Sequence, residues 1–275
     1  MTLCFKRTFL LLGFLLLLFT SGCTRVNYNI LTGKENLNFI SEEKEIKLGK
    51  KISLRVEEEF EIMKDPRLKD VVNKIGYKLV EHCDRKGLVY YFNVIDEEES
   101  NHDEGSSDKG PNAFALPGGY IYINKVLIDM LEGEDEVAAV LAHELSHIVL
   151  RHNILKLQEA IGTQALFIMM GTSSPDARTA KNSQVAMILL LLAYSKEREF
   201  EADRLALKYL QEAGFNPQGM ISLLKKIQKF QFDSPIKRYY LKTHPYLDER
   251  IEQVQKELKI YNNILYEILI STLKR

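Results

Sequence analysis

The segment His143-Glu144-Leu145-Ser146-His147 carries the strongest signal in the chain. Residues four positions apart on an α-helix are separated by about 400° and 6 Å, so both imidazoles face one side and can bind one metal ion. Glu144 lies about 100° from His143, where a general base for a zinc-activated water is needed. Chance predicts roughly 0.01 such matches in a chain of this composition, so two ordinary helical histidines are the weaker interpretation.

A tetrahedral zinc site needs a third protein ligand and a fourth position for water. His152, five residues after His147, lies about 140° away from the face of the two histidines and is a poor candidate. In a later helical segment, Glu199 and Asp203 are four residues apart and share one face. If Glu199 binds the metal, Asp203 can accept an N–H from a ligating imidazole.

The later segment also carries Glu197 and Glu201, which point nearly opposite to Glu199. Charged side chains on the outer side of an amphipathic helix are usually solvated. We therefore expect Glu197 and Glu201 to lie on a solvated face together with Arg198 and Arg204.

The composition is that of a globular protein. The chain has 275 residues, of which 45% are apolar and 27% charged, with 37 Lys and Arg against 38 Asp and Glu. The apolar fraction excludes a disordered protein. The balanced charge provides no basic field and argues against nucleic acid as a partner.

Hydrophobic periodicity predicts a mostly helical chain with a few strands. The helical patterns cover residues 41–60, 66–79, 134–170, 184–213, 217–231 and 246–259. The extended patterns cover Leu88–Ile95, Ala113–Leu116 and Tyr120–Asn124. The last of these alternates in polarity and suits a half-buried edge strand. Between them, Asp96–Pro111 is acidic and rich in Ser and Gly, which predicts a mobile loop.

The N-terminus has the pattern of an export signal. Lys6 and Arg7 precede the apolar run Phe9–Phe19, which is too short for the about 20 residues that span a bilayer. The following Thr20-Ser21-Gly22-Cys23 resembles the lipobox of bacterial lipoproteins, in which the cysteine is lipidated and becomes the new N-terminus. An ordinary signal peptide with an incidental cysteine is the alternative. Thr24 at the next position is similar to lipoproteins sorted to an outer membrane.

Two further apolar runs lie at Ala160–Met170 and Val185–Tyr194. Both are too short to span a membrane, so a buried helix pair is favoured over a membrane hairpin.

Four motifs in order resemble the HtpX, Ste-type CAAX protease and Oma-type family of gluzincin metallopeptidases. They are Asn112–Ile121, the segment His143–His147, the sequence Glu199-Phe200-Glu201-Ala202-Asp203, and Thr243-His244-Pro245. Because of the signal pattern, the small lipidated periplasmic members are most similar (LoiP-like, and BepA-like without a tetratricopeptide domain). The resemblance implies an α+β, mostly helical, zincin-like metallopeptidase domain, with a small sheet whose edge strand precedes the active-site helix.

The family pattern also implies a role for each site residue. His143, His147 and Glu199 would bind one Zn²⁺ per chain. Glu144 would act as the general base, and Asp203 would accept an N–H from one of the ligating imidazoles. The edge strand would pair with the substrate backbone, and its segment contains Asn112, Ala113, Phe114, Gly118, Gly119 and Tyr120. For His244 three alternatives stay open: stabilising the oxyanion, occupying the fourth zinc position in a latent state, or lying on the surface.

The predicted organisation is a lipoprotein signal peptide at 1–22, a membrane tether at 23–40, a zinc metallopeptidase domain at 41–260 and a C-terminal tail at 261–275. The resemblance implies a membrane-anchored endopeptidase of the bacterial envelope, facing the periplasm and held by a lipid on Cys23. Its expected partners are misfolded or unassembled envelope proteins. A lipoprotein chaperone or assembly factor with a latent zinc site is the main alternative, and a purely structural zinc domain is another.

Overall fold

A computed structural model describes residues 27–28, 30–31, 33, 35–36, 40–96, 110–162, 193–233 and 243–273. The signal at 1–22, Cys23, residues 97–109 of the acidic loop and most of both apolar runs lie outside the described residues. The chain forms two units, residues 1–41 and 42–275. In the first unit, strand β1 (Asn27–Tyr28) pairs with the antiparallel strand β2 (Glu35–Asn36).

The second unit is mostly helical. Its helices are α1 (Glu42–Glu59), α2 (Pro66–Val80), α3 (Lys125–Met130), α4 (Glu134–Val149), α5 (His152–Ile161), α6 (Lys196–Glu212), α7 (Gln218–Asp233) and α8 (Leu247–Leu273). Polar caps set several of the starts: Asp65 accepts from the backbone N–H of Arg67 before α2, and Ser195 caps α6 in the same way. Within the part of the chain that the structure describes, none of the helices has the length and apolar character needed to cross a bilayer.

A four-stranded mixed sheet packs beside the helices. Its strands are β3 (Glu61–Ile62), β4 (Tyr91–Asp96), β5 (Ala113–Leu116) and β6 (Tyr120–Asn124). The order is β3-β4-β6-β5, with β4 and β6 parallel and the other pairs antiparallel. The two edge strands of this sheet are therefore β3 and β5. Of these, β5 is closer in sequence to α4, the helix that carries the His143–His147 motif.

The prediction that Tyr120–Asn124 is a half-buried edge strand was wrong, because β6 lies between two strands. Two of its three polar residues, Tyr122 and Asn124, are buried rather than solvated. The Tyr122 ring stacks on Phe114 with centroids 5.2 Å apart. Asn124 accepts the Asn112 N–H at 2.9 Å and also caps α3. Alternation in polarity identified the strand, but specific partners for the polar side chains allow the strand to be central.

The long helix predicted at 134–170 is broken after Val149. Arg151 has a left-handed backbone (φ 58°), and α5 starts at the next residue. The buried carboxylate of Glu45 holds this corner, since its Oε2 lies 2.8 Å from Arg151 Nε and its Oε1 accepts from Arg85 at 3.0 Å. The contact that fixes the break comes from α1, about a hundred residues away, so local periodicity could not reveal it.

Two other helix boundaries also differ from the prediction. The helix predicted at 184–213 does not run through Ser195, whose backbone is extended, and α6 starts after it. The last helix, predicted at 246–259, continues to Leu273. Helix α4 lies at the centre of the domain: every residue from Glu136 to Val149 is buried. Its neighbours include α2, α6, α7 and β5. The metal-ligand motif thus lies in a helix whose side chains from Glu136 onward are all buried.

Candidate metal centre

Helices α4 and α6 bring the predicted ligands together. The Nε2 atoms of His143 and His147 lie 3.1 Å apart. Glu199 places one carboxylate oxygen 3.5 Å from His147 Nε2 and the other 3.6 Å from His143 Nε2. All three side chains are buried. The structure therefore converges two imidazole nitrogens and one carboxylate on a single enclosed point, the set that the family resemblance implies.

His244, just before α8, joins the same cluster. Its Nδ1 lies 3.3 Å from His143 Nε2 and 3.2 Å from Glu199 Oε1. One ligand atom from each of His143, His147, Glu199 and His244 falls within 4.8 Å of all the others. Since His244 is only 1% exposed, the alternative that placed it on the surface is excluded. Three nitrogens and one carboxylate form a donor set that suits tetrahedral zinc.

Glu144 lies beside this cluster without hydrogen-bond donors. It is fully buried, and neither of its oxygens accepts a hydrogen bond from the described residues. The Nε2 of His244 lies 3.4 Å from Glu144 Oε1. A buried carboxylate without donors is costly unless a further group meets it. The residues present therefore fit a zinc ion together with a water that Glu144 can deprotonate.

Asp203 supports His143 from behind. Its Oδ1 lies 2.9 Å from His143 Nδ1, so the Nδ1–H donates to the carboxylate and Nε2 is the nitrogen that faces the centre. Burial and the nearby Arg250 act to lower the pKa of His143, but Asp203 and Glu199 together raise it to about 9. Asp203 thus sets both the orientation and the proton affinity of this imidazole.

Arg250 was not predicted as a site residue, although it is the largest fully buried side chain in the described part of the chain. Its Nη1 lies 2.7 Å from Glu199 Oε2. Burial raises the pKa of Glu199, but the charges of Arg250 and His244 outweigh this and hold it well below the usual value. A sequence signal existed: Arg250 shares the apolar stripe of α8 with Leu247 and Val254, where a charge needs a buried partner.

A second polar group lies behind His147. The Nδ1 of His147 is 3.0 Å from His152 Nδ1, and His152 Nε2 is in turn 3.2 Å from Glu201 Oε2. Glu201 is therefore only partly solvated, since its carboxylate also meets His152, whereas Glu197 is exposed as expected. Tyr194, also missed, stacks on the His147 ring with centroids 3.9 Å apart.

The two arginines of α6, Arg198 and Arg204, pair with glutamates of other helices and not with the acids of α6. Arg198 donates to Glu159 at 2.8 Å, and Arg204 donates to Glu257 at 3.0 Å.

Near the cluster, the ammonium of Lys156 lies 3.9 Å from the centre of the Tyr194 ring. Burial, partly offset by the Glu144 and Glu199 charges, lowers the pKa of Lys156 to about 7.

The predicted substrate segment lies at the sheet edge, but several of its residues have contacts within the domain. The ring of Phe114 packs on Tyr122, and Tyr120 stacks on Tyr91 with centroids 4.6 Å apart. Ala113 is buried and pairs with Ile123. In contrast, the buried Oδ1 of Asn112 accepts no hydrogen bond from the described residues.

Gly118 and Gly119 have positive φ values of 78° and 108°. A Cβ on Gly118 would lie 2.9 Å from the Ile46 Cα, and one on Gly119 would overlap the Val89 carbonyl. Both glycines therefore permit a close approach to neighbouring segments of the same chain.

A buried helix with two histidine ligands, a glutamate between them and a third ligand from a second helix define the gluzincin class of metallopeptidases. The chain belongs to this class through Peptidase family M48, whose model matches residues 66–258. Members of the family use zinc, and the four-residue cluster described above can bind a metal.

Three relatives illustrate the similarity. The chain is 27% identical over 199 residues to the beta-barrel assembly-enhancing protease of Escherichia coli, covering 69% of this chain and 39% of that protein. It is 30% identical over 151 residues to mitochondrial metalloendopeptidase OMA1 of Schizosaccharomyces pombe, covering 55% and 44% respectively. It is 28% identical over 153 residues to metalloprotease LoiP of Escherichia coli, covering 54% and 60%. The chain thus spans less than two thirds of the length of each.

Proposed function

We propose that this chain is a zinc-dependent endopeptidase of the bacterial cell envelope that removes misfolded or unassembled envelope proteins. The observation that carries the proposal is the convergence of His143, His147 and Glu199 beside Glu144, whose carboxylate accepts no hydrogen bond from the described residues. A structural zinc site would use closed coordination and would have no need for a buried base without donors.

In the proposed reaction, His143, His147 and Glu199 hold the ion. Bound zinc would polarise the scissile carbonyl and make water more acidic. Glu144 accepts the proton of the attacking water and returns it to the amine nitrogen as the peptide C–N bond breaks. Asp203, through the Nδ1–H of His143, keeps the ligating nitrogen directed at the centre.

The substrate is proposed to bind as an extended chain along the outer edge of β5. Among the described strands β5 pairs with β6 alone, and its other edge is the one that would take the backbone hydrogen bonds of the substrate. Asn112, at the start of the strand, has a buried amide oxygen that could accept an N–H from the substrate. Gly118, Gly119, Phe114 and Tyr120 would then act indirectly, by shaping the turn and the sheet behind the edge.

The proposal for the cellular location rests on the sequence. Residues 1–22 would be removed, a lipid on Cys23 would anchor the chain, and residues 23–40 would connect the anchor to the domain at 41–260. Of the C-terminal 261–275, residues 261–273 continue α8. The similarity to a beta-barrel assembly-enhancing protease supports substrates among envelope proteins facing the periplasm.

One observation favours a second candidate, an assembly factor with a latent zinc site. His244 lies as close to the other ligands as they do to one another, so it could complete a four-ligand site and exclude water. In an active state, His244 would have to leave the fourth ligand position. From its new position beside the centre it could donate to the oxyanion that forms on the substrate.

The Glu144→Gln variant of the full chain tests the enzyme proposal. The amide keeps the size of the side chain but cannot accept the water proton, so casein cleavage should fall by about 10²–10⁴ while bound zinc is unchanged. Glu197→Gln, the same change at an exposed site on α6, should cleave at the wild-type rate. Wild-type cleavage by Glu144→Gln would contradict the mechanism. A zinc-loaded wild type without cleavage would favour the latent assembly factor.

A further inference from the structure

The two histidines of the motif are supported from behind in different ways. Each directs Nε2 toward the centre and Nδ1 away from it. Behind His143, Nδ1 meets the carboxylate of Asp203 directly. Behind His147, Nδ1 meets a second imidazole, that of His152, at 3.0 Å. The second arrangement needs an explanation, because two imidazole nitrogens can bond only if one carries the proton and the other does not.

The position of each proton in this pair follows from the contacts. His147 can bind a metal through Nε2 only if its proton is on Nδ1, so Nδ1–H must donate to His152. The Nδ1 of His152 must then be the acceptor, and its proton must be on Nε2. Glu201, 3.2 Å from that Nε2, is the acceptor that stabilises this tautomer.

We propose that His152 and Glu201 are positioning residues of the metal centre: Glu201 selects the tautomer of His152, and His152 holds His147 with Nε2 available to the ion. This inference rests on the proposed metal site. It also assigns three tasks to α6, which would supply the ligand Glu199, the support for His143 through Asp203 and the support for His147 through Glu201.

The surrounding structure is built for such a relay. The left-handed Arg151 ends α4 and turns the chain so that His152 faces back toward His147, which a continuous helix would not allow. Tyr194 stacks on the His147 ring at an interplanar angle of 21°, so the ring is held from its face as well as from Nδ1. His152 is only 1% exposed, so solvent does not compete for either of its ring nitrogens.

The test measures zinc affinity of the full chain by competition with a chromophoric chelator. His152→Leu removes both hydrogen bonds and should weaken zinc binding by about 10–100-fold. His152→Gln can still accept from His147 and donate to Glu201, so it should keep affinity within a few-fold of wild type. Glu201→Gln should weaken binding by about tenfold. Glu197→Gln, exposed on the same helix, is the matched control and should leave binding unchanged.

Two further readouts separate positioning from general structure. Urea unfolding of the metal-free proteins should be nearly the same in Glu201→Gln and Glu197→Gln, because both side chains reach solvent. The visible spectrum of the cobalt-substituted protein should change in His152→Leu and return toward wild type in His152→Gln. If His152→Leu does not fold, the partly exposed Glu201 position decides alone.

Several results would overturn the inference. Zinc affinity equal to wild type in both His152→Leu and Glu201→Gln would do so, and so would an equal loss in His152→Leu and His152→Gln. A loss of affinity that only follows a loss of metal-free stability would assign the pair a structural role. Failure of the wild-type chain to bind zinc would instead contradict the metal centre itself, and the two failures are therefore distinguishable.

Discussion

Arg250 donates to both carboxylate oxygens of Asp203, from Nε at 2.8 Å and from Nη2 at 2.7 Å. Both side chains are almost completely buried. The same guanidinium also reaches Glu199, so a single cation faces two carboxylates behind the metal-binding cluster. This arrangement links the last helix to α6 and compensates negative charge that burial would otherwise make costly.

Removal of the Arg250 charge is predicted to destabilise the metal-free domain strongly. Arg250→Met leaves Asp203 and Glu199 buried without their cation, and the free energy of unfolding should fall by about 3–5 kcal/mol. Arg250→Lys keeps a charge but loses the planar two-point contact, so it should restore only part of this. Urea unfolding in the presence of a chelator measures both. Arg204→Met, which breaks the more exposed pair with Glu257, should cost no more than about 1 kcal/mol.

The parts of the site that were predictable depend on local geometry. Helical spacing alone puts His143 with His147 and Glu199 with Asp203 on common faces, and the structure brings these four together. Arg250 needed the tertiary structure, because an arginine on an apolar stripe does not reveal which buried acids it will meet. The contact of His147 with His152 also needed the tertiary structure, because it depends on the break in the chain after α4.

The fold shows the same division between local and distant information. Periodicity identified the strand Tyr120–Asn124, but strand order depends on which segments pair across the chain. The parallel pairing of β6 with β4 joins residues about thirty positions apart, and no local pattern encodes it. Similarly, the break after Val149 depends on Glu45 of α1.

Gly49 is predicted to tolerate no side chain. It lies in α1 where that helix crosses the turn between β5 and β6, and an added Cβ would overlap the carbonyl oxygen of Pro117. Because the obstacle is backbone on both sides, Gly49→Ala should destabilise the domain by about 1–3 kcal/mol or more. Gly133→Ala is the matched control, since a Cβ there meets nothing within 4 Å and the backbone is extended. Equal thermal midpoints for the two variants would show that α1 does not cross the turn as closely as described.

Glu136 is predicted to make stability depend on pH in the acidic range. It joins α4 to α7, accepting from Ser222 and, at 2.9 Å, from Lys226. Burial raises its pKa, but these donors outweigh burial and leave the pKa below the ordinary value of 4.5.

Because the pKa of Glu136 is lower in the folded state, its contribution to stability is present above the unfolded pKa and is lost as pH falls through the folded one. Glu136→Gln should therefore have a lower urea midpoint than wild type at pH 6, and the difference should shrink steadily below about pH 4.5. Glu134→Gln, exposed in the first turn of the same helix, should follow the wild-type profile at every pH. A Glu136→Gln deficit that stayed constant from pH 6 to pH 3 would mean that packing of the side chain, and not its charge, joins the two helices.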